Sequence, residues 1–441
     1  MKGALGRELS FKPVKGWLSR NVERLAALVA LMFFCTPVIE MVICLFNKTE
    51  RILPLVQYPK LVLSYVLPAS IALAGLAYIG AFCRLRAQGR RVGQALRENP
   101  AVVIFLALAA WMVASTLVND ALFRMDYYRN EPFALVLAYI LVFLFCGMLI
   151  DGPRKERLAM ATIAMSMALG VYAIVRYDLI KRGVEVSAAV YATAVFPQEN
   201  HYGYYLAIHI ALCGAMFSLG SRRTYRGVAL VGLALNTAAL SLNNTFGAWL
   251  ACLVTFVFQG VVIFIVRRKV DWRTVAALAV FLAVTGLMNV QATEIVDSAK
   301  QFTTDVKSVV SDPEHSDSAG STRWLIWKFT VDRIRERPLF GFGNEGINEM
   351  LQQATGSSRP HCEPLQYAVF YGIPAAVIYV CGVLAVFLRG YHRRRTLDAR
   401  TLLCLVAAFA YFTSSMFGNT MYYTAPFFFL LMGMGYEKKG Q

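Results

Sequence analysis

The sequence predicts an all-α polytopic membrane protein, and both composition and hydropathy favour this fold class. The chain has 441 residues, of which 57% are hydrophobic and 16% are charged. A typical soluble protein carries about 25% charged residues, so this chain could not cover its apolar surface in water. Its apolar residues also occur in runs of roughly 18 to 25, the length that crosses about 30 Å of hydrocarbon as an α-helix. This composition excludes a soluble enzyme. Because segments with period-2 alternation are few, an outer-membrane β-barrel is excluded as well.

About twelve of these runs are predicted to be transmembrane helices. The first run is too long for the apolar region of a signal peptide, and no small-residue cleavage site follows it, so it is expected to be an uncleaved anchor. The predicted spans are residues 22–46, 61–83, 100–118, 132–150, 157–175, 201–219, 227–242, 246–266, 274–290, 363–388, 401–417 and 420–436.

Charge patterning predicts how these spans are oriented. The chain carries 44 Lys+Arg against 27 Asp+Glu, a formal net charge of +17, which could also indicate a nucleic-acid partner. The basic residues, however, concentrate in alternate short loops, as in 84–97, 222–226 and 389–400. This is the positive-inside pattern, and it predicts an inner-membrane protein with both termini in the cytoplasm. The excess charge is therefore explained by the lipid bilayer, and no basic patch remains for a nucleic acid.

One long segment on the outer side divides the chain into three parts. Residues 1–290 are predicted to hold the first nine spans, 291–361 a large helical loop, and 362–441 the last three spans with a cytoplasmic tail. An insertion of this length inside a compact bundle is usually functional.

Three helices are predicted within this loop. In 291–318 the apolar residues fall on one helical stripe, which predicts an amphipathic helix that ends before Pro313. Ser321 is predicted to cap a second helix that runs through Arg337, with an apolar and aromatic face suited to the membrane interface. A third, short helix is expected over 346–354.

The outer side also holds the side chains best suited to chemistry. His361, at the end of the loop, is an imidazole at a water-accessible helix mouth, where it could accept a proton near neutral pH or simply cap the helix. Arg323 lies in the first turn of its helix, where backbone N–H groups favour anions, and its guanidinium suits phosphate oxygens. No His or Cys cluster has metal-ligand spacing, so no metal is predicted. The remaining outer arginines are Arg176, Arg182, Arg333, Arg335, Arg337 and Arg359.

Several short motifs resemble the O-antigen ligase and O-antigen polymerase superfamily. They are Phe196-Pro197-Gln198-Glu199-Asn200-His201, Arg323-Trp324-Leu325-Ile326-Trp327, Pro338-Leu339-Phe340-Gly341-Phe342-Gly343, His361, Leu365-Gln366 and Tyr371-Gly372-Ile373. Twelve spans with one large loop between the ninth and the tenth are similar to the ligase branch in particular. Many relatives carry an arginine just after the seventh span, but the corresponding stretch at 245–249 has none. The resemblance therefore leaves open which arginine binds phosphate.

The resemblance implies a metal-independent, inverting glycosyltransferase of the GT-C class without a cofactor. It implies transfer of an O-antigen glycan from undecaprenyl diphosphate to a sugar hydroxyl of lipid A-core at the periplasmic face, which completes lipopolysaccharide. His361 would then be the general base on the acceptor hydroxyl. The implied diphosphate-binding residues are Arg323, Arg176, Arg182 and Arg337, and the implied substrate contacts are Asn200, His201, Trp324, Trp327 and Arg359.

Other functions remain open at the level of sequence. A polymerase that extends the glycan on its lipid carrier would use nearly the same chemistry, so only the acceptor would distinguish the two enzymes. A transporter of lipid-linked sugars would need charged residues along the bundle interior, and the spans offer almost none besides Glu40 and His209. An acyltransferase would leave the outer arginines without a purpose.

Overall fold

The predicted all-α membrane fold is confirmed. The computed structural model describes residues 12–46, 54–123, 131–184, 192–289 and 294–437. All regular secondary structure in these residues is helical, and nine of their helices are long and apolar enough to cross a membrane. Three shorter apolar helices bring the set to twelve, the number that the hydropathy pattern predicts.

Seventeen helices follow one another along the described chain. The first ten are α1 (Lys12–Phe46), α2 (Pro54–Leu61, continued by a π-helical turn at Val62–Val66 and by Leu67–Ala87), α3 (Val92–Glu98), α4 (Pro100–Val118), α5 (Phe133–Leu149, with a π-helical turn at Tyr139–Leu144), α6 (Pro153–Lys181), α7 (Glu199–Leu219), α8 (Arg223–Asn243), α9 (Phe246–Arg267) and α10 (Trp272–Asn289). The others are α11 (Glu294–Ser311), α12 (Arg323–Glu336), α13 (Asn348–Thr355), α14 (Glu363–Tyr371), α15 (Ile373–His392), α16 (Ala399–Ser415) and α17 (Ala425–Met434).

Helix α7 is the centre of the bundle. Nearly all of its residues are buried, and it packs against α8, α9 and α16. Its polar groups are satisfied inside the bundle: His209, fully buried, lies 2.9 Å from the Thr162 hydroxyl through Nε2 and 2.7 Å from the Tyr205 carbonyl through Nδ1. His209 is therefore a hydrogen-bonded residue of the bundle interior. The second interior ionisable residue, Glu40, is also fully buried, on α1.

Two predicted spans are wrong in detail. The tenth, predicted as one helix over 363–388, is divided into α14 and α15 at Gly372. Gly372 has φ +90°, and a Cβ there would lie 1.9 Å from the Leu339 carbonyl oxygen, so only glycine fits. The twelfth span was predicted to begin at residue 420, but α17 begins at Ala425 and residues 416–424 form a loop. Hydropathy could not reveal either feature, because the apolar residues continue through both.

Helix α14 is held at its C-terminal end by segment 338–343. The Phe342 N–H donates to the Val369 carbonyl at 2.9 Å, and the Gly343 N–H donates to the Phe370 carbonyl at 2.8 Å. The last carbonyls of a helix have no partner within the helix. The glycine-rich segment supplies these partners and thereby fixes where α14 stops.

Helix α14 is held at its start by loop 416–424. The fully buried Glu363 carboxylate accepts hydrogen bonds from the Thr420 hydroxyl at 2.6 Å and the Tyr379 hydroxyl at 2.9 Å. The Thr420 N–H donates to the Gln366 side chain at 3.1 Å. Both ends of this short helix are therefore fixed by segments that are distant in sequence.

The predicted helices of the long loop exist as α11, α12 and α13, with one wrong boundary. Ser321 does not cap α12, because its own φ is +57° and the helix begins two residues later, at Arg323. Thr322 takes the cap position with φ +67° and makes no side-chain cap hydrogen bond. The buried face of α12 is formed by Ile326, Thr330 and Ile334, so part of the predicted interfacial face packs inward.

Candidate active site

A cavity of about 580 Å³ lies where α7, α12 and α14 begin. It is large enough to hold a diphosphate with part of a sugar ring. Four of the predicted site residues lie in its lining: Asn200, His201, Arg323 and His361. The complete lining consists of residues 197–201, 321–323, Ile326, Gln352, 355–358, His361 and 421–423.

His361 is partly exposed on the cavity wall and is fixed by its backbone and its side chain. Its φ is +50°, a left-handed conformation that costs a non-glycine residue about 1–3 kcal/mol. Its N–H donates to the Asn419 side-chain oxygen at 2.7 Å, and its Nε2 lies 3.0 Å from the Ser357 hydroxyl. A strained residue held by specific partners at a cavity is typical of a functional position.

The thiol beside His361 does not compete with the imidazole. Burial raises the pKa of the Cys362 thiol above its ordinary value, against a hydrogen bond with the Leu365 backbone that lowers it and with a smaller contribution in the same direction from the Glu363 carboxylate. The thiol therefore stays protonated near neutral pH and is a poor nucleophile. The imidazole of His361, and not the Cys362 thiol, is therefore the basic group at this point of the cavity wall.

Arg323 is the cavity's arginine. It is the first residue of α12, its Nη1 donates to the Gly320 carbonyl at 2.9 Å, and it lies beside the Tyr204 hydroxyl. No carboxylate pairs with it among the residues that the structure describes. Gly320, Ser321 and Thr322, which precede it, all have positive φ, from 57° to 67°. The backbone N–H groups of this turn are used within it, since Thr322, Arg323 and Trp324 donate to the carbonyls of Ser318, Gly320 and Ala319.

Three helix N-termini meet at the cavity. Residues 197–201 of the wall contain the start of α7, residues 321–323 lead into α12, and His361 immediately precedes α14 with its N-cap Cys362. Each N-terminus of a helix carries about half a positive charge. Together with the Arg323 guanidinium they supply positive charge for an anion, opposed by the Glu199 carboxylate and the C-terminal end of α13, which also line the cavity.

The floor of the cavity includes aromatic residues that the sequence analysis did not identify. Tyr422 donates its hydroxyl proton to the Tyr423 hydroxyl at 2.7 Å, and the Tyr423 ring stacks on His201 with centroids 5.0 Å apart. Burial raises the pKa of Tyr422 well above its ordinary value, so this hydroxyl stays neutral. Both tyrosines were predicted to lie inside the last span, because residues 420–436 read as one apolar run. The polar residues Asn419 and Thr420 ahead of them were the available signal for a loop.

Arg359 lies behind the cavity wall and does not line it. Its side chain is 1% exposed and forms ion pairs with Glu131, at 3.2 Å, and with Glu345. Its guanidinium also lies over the Phe370 ring of α14. The structure therefore places this predicted substrate contact in a buried ion-pair cluster that supports the segment leading to His361.

Three other predicted phosphate-binding arginines also lie away from the cavity lining. Arg176 is buried and donates to the Ala194 carbonyl at 2.9 Å, which holds the segment before α7. Arg182 pairs with Asp178 at 2.9 Å on an exposed surface. Arg337 lies 4.8 Å from the Phe342 ring centroid and donates to the Asn119 side chain at 3.2 Å.

The two predicted tryptophan contacts are near the cavity but not part of its lining. The Trp324 indole N–H donates to the Pro313 carbonyl at 2.7 Å, on the side of α12 that faces the end of α11. The Trp327 ring lies 6.5 Å from that of Phe417 and packs against the hydrophobic core. Ile326, between them, lines the cavity together with Arg323 of the same helix.

The family comparison agrees with the resemblance in the motifs. A search of curated proteins found no match to the chain. The family model described as O-antigen ligase matches residues 229–380, a stretch that contains Arg323, segment 338–343 and His361. About a third of the chain is therefore similar to the O-antigen ligase family, and this third includes both His361 and Arg323 of the cavity.

Proposed function

We propose that this protein transfers an O-antigen glycan from undecaprenyl diphosphate to a sugar hydroxyl of lipid A-core. The observation that carries the proposal is the shared cavity, in which the imidazole of His361 and the guanidinium of Arg323 face the same space. A glycosyl transfer from a lipid diphosphate needs a base for the acceptor and cationic groups for the leaving group. The family match supports this reaction class, since its members include ligases and polymerases of O-antigen.

The proposed reaction is a single displacement with inversion at the anomeric carbon. The acceptor hydroxyl gives its proton to His361 as its oxygen forms the new bond to the anomeric carbon. The bond between that carbon and the diphosphate oxygen breaks, and the electron pair leaves with undecaprenyl diphosphate. Negative charge therefore grows on the diphosphate during the reaction. Arg323 and the positive end of the α12 helix would stabilise this charge.

The proposed location of the cavity is the periplasmic face of the inner membrane. Helix α7 begins at the cavity and ends at Leu219, and the next residues include Arg222 and Arg223. With a rise of about 1.5 Å per residue, α7 spans about 30 Å, the thickness of the hydrocarbon core. The basic residues beyond its end favour the cytoplasm on that side, which leaves the cavity on the other.

The proposal is tested by a reconstituted assay with purified protein, lipid-linked glycan and lipid A-core, in excess EDTA and without nucleotide. Glycan should appear on lipid A-core, and His361→Ala should lower the rate by about 10² to 10⁴, the usual contribution of a general base. His315→Ala is the matched control, because His315 is exposed, pairs with Asp312 and lies outside the cavity lining.

Three results would contradict parts of the proposal. Longer lipid-linked glycan, with lipid A-core unmodified, would identify a polymerase instead of a ligase. Loss of transfer in EDTA that a divalent cation restores would contradict metal independence. Transfer by His361→Ala at the rate of His315→Ala would remove His361 from the reaction.

A further inference from the structure

The cavity lining contains one acidic side chain, Glu199, and one Lys or Arg side chain, Arg323. Glu199 is the first residue of α7 and is half-buried. In the proposed reaction Arg323 meets the diphosphate, but a carboxylate repels such a group. The presence of Glu199 in the same lining therefore calls for a ligand group of different chemistry.

The Glu199 carboxylate has no partner within the part of the chain that the structure describes. The Asn243 amide donates to the Glu199 main-chain carbonyl at 3.1 Å, but no cation or hydrogen-bond donor reaches the Glu199 side chain. The positive end of α7 favours a carboxylate in the first turn, so the charge is tolerated there without an ion pair. A carboxylate only accepts hydrogen bonds, and both of its oxygens are available to a ligand that donates them.

The main chain that carries this carboxylate is fixed where α8 ends and α9 begins. Asn243, which is fully buried, also donates to the Ala192 carbonyl at 2.8 Å and so joins the segment before α7 to the first residue of that helix. One turn further on, a Cβ at Gly203 would lie 2.6 Å from the Thr245 Cβ, so the start of α7 packs directly against this junction. The main chain at Glu199 is therefore preorganised, which reduces the entropy lost when a ligand binds.

Several other side chains of the lining are neutral and polar. Gln198 and Asn200 flank Glu199 in the sequence, and Gln352 and Ser358 belong to the same lining. Amide and hydroxyl side chains both donate and accept hydrogen bonds, whereas the carboxylate accepts them. A sugar ring offers complementary donors and acceptors on adjacent carbons. These groups therefore fit a sugar ring better than a second phosphate.

We infer that Glu199 binds hydroxyl groups of a sugar ring, so that the cavity has a sugar site at the start of α7 as well as the phosphate site at Arg323. This inference rests on the proposed function. Two adjacent hydroxyls of one sugar donate to the two carboxylate oxygens, and no bond of the substrate is formed or broken at Glu199. The sugar belongs either to the acceptor, lipid A-core, or to the transferred glycan, since both present the same chemistry.

Kinetics of the two-substrate assay test this role and distinguish the two sources, with one substrate varied while the other is saturating. Glu199→Ala should raise KM for one substrate about 10- to 100-fold, the usual effect of losing a hydrogen bond to a charged group. It should change kcat less than about twofold, because a contact of equal strength in the ground state and the transition state affects KM alone. A higher KM for lipid A-core assigns the sugar to the acceptor, and a higher KM for the lipid-linked glycan assigns it to the donor.

Two further variants complete this comparison. Glu199→Gln keeps the shape of the side chain and one accepting oxygen, so it should recover part of the lost affinity. It also carries the same comparison if the melting temperature in detergent shows that Glu199→Ala is not folded. Glu349→Ala is the matched control and should change neither KM, because Glu349 is exposed on α13 and lies outside the cavity lining.

Deoxy substrates test whether the contact is direct. In the substrate whose KM rises, each hydroxyl of the reacting sugar is replaced in turn by hydrogen. At the positions that Glu199 contacts, the deoxy substrate should have a raised KM with the unsubstituted protein, and Glu199→Ala should cause no further rise. A further rise of the same size at every position would overturn the inference, because Glu199 would then contact none of these hydroxyls.

The outcomes separate this inference from the proposed function. An absence of transfer by the unsubstituted protein would overturn the proposed function. Transfer in which both KM values of Glu199→Ala equal those of Glu349→Ala would overturn this inference alone. A fall in kcat of about tenfold or more with both KM values unchanged would place Glu199 in the chemical step and would also overturn its binding role.

Discussion

At the scale of single residues, the environment of each arginine distinguishes the roles that the sequence could not separate. Arg359 is fully buried against two carboxylates, and removal of one partner from such a cluster leaves an uncompensated charge. Arg176 is occupied by a backbone carbonyl, and Arg182 by Asp178. Arg323 combines a place on the cavity wall with the absence of a carboxylate partner in the described part of the chain. It is therefore the arginine best placed to meet an anionic substrate.

The first residue-scale prediction concerns this guanidinium. Arg323→Ala should lower kcat of glycan transfer by about 10² to 10³, the usual cost of removing one group that stabilises a developing anion. Arg323→Lys should recover only part of this loss, since an ammonium group cannot form two parallel hydrogen bonds to phosphate. The measurement is the initial rate of transfer at saturating lipid-linked donor.

Arg335→Ala serves as the control for Arg323→Ala. Arg335 lies on the same helix, is exposed and pairs with Asp332 at 3.0 Å. Its loss should change the rate little, because exposed ion pairs contribute about 0–1 kcal/mol. Equal rates for the two alanine variants would remove Arg323 from the reaction.

Part of this residue chemistry could be predicted from the sequence. Basic residues concentrate in the predicted inner loops, so a histidine and arginines on the predicted outer side stand out. His361 and Arg323 were therefore identifiable by residue type and position. The burial of Arg359 could not be predicted, because its partners Glu131 and Glu345 lie in different parts of the chain. Tyr422 was hidden within an apolar run, and only the folded chain brings it to the cavity.

At the scale of elements, α14 is a nine-residue helix whose position depends on its neighbours. Helices this short are marginal by themselves. Segment 338–343 fixes its end and loop 416–424 fixes its start, and His361 lies two residues before that start. The location of the imidazole is therefore coupled to packing at Gly372, eleven residues further along the chain at the other end of the helix.

A substitution at Gly372 tests this coupling. Gly372→Ala should lower the melting temperature of the protein in detergent and reduce transfer, because the new Cβ would lie 1.9 Å from the Leu339 carbonyl oxygen. The backbone at Gly372, with φ +90° and ψ 163°, lies in a region that essentially only glycine occupies, and a non-glycine residue there costs about 1–3 kcal/mol. The steric overlap adds to this cost and displaces either α14 or segment 338–343.

Gly89→Ala is the control for this experiment, because it measures the effect of positive φ without steric overlap. Gly89 also has positive φ, +67°, but a Cβ there would meet no atom within 4 Å. It should lose only the conformational contribution and keep full activity. If Gly372→Ala and Gly89→Ala lowered the melting temperature equally and both kept activity, the packing of Gly372 would not position His361.

The sequence predicted the number of apolar helices better than their breaks. Periodicity and run length report burial of a whole segment, so α1 to α10 appear near their expected places. The break at Gly372 depends on a contact with Leu339, which is distant in sequence. The start of α12 likewise depends on three left-handed residues, and a Ser-Thr pair gave a normal cap signal instead.

At the scale of the whole molecule, the two ends of the bundle differ in the charged groups that they carry. Three helices begin at the cavity, and α7 carries the chain from there to the basic residues at the start of α8. The positive ends of these helices and the Arg323 guanidinium thus lie at one end, and Arg222 and Arg223 lie just beyond the other end of α7. A lipid diphosphate would meet favourable charge at the cavity end while its polyprenol stays in the bilayer.

The proposed orientation, with the cavity on the periplasmic side, can be measured with two matched substitutions, Thr303→Cys and Thr224→Cys. Both threonines are exposed, one on α11 and one at the start of α8, and α11 contacts the cavity region through the bond from the Gly320 N–H to Asp305 at 2.8 Å. In spheroplasts, a membrane-impermeant maleimide should label Thr303→Cys at once and Thr224→Cys only after permeabilisation. Labelling of the native cysteines is measured on the unsubstituted protein and subtracted. The positive-inside rule gives this direction, because Thr224 lies among Arg222, Arg223 and Arg226. Immediate labelling of Thr224→Cys with protection of Thr303→Cys would place the cavity in the cytoplasm, where it could not meet a periplasmic acceptor.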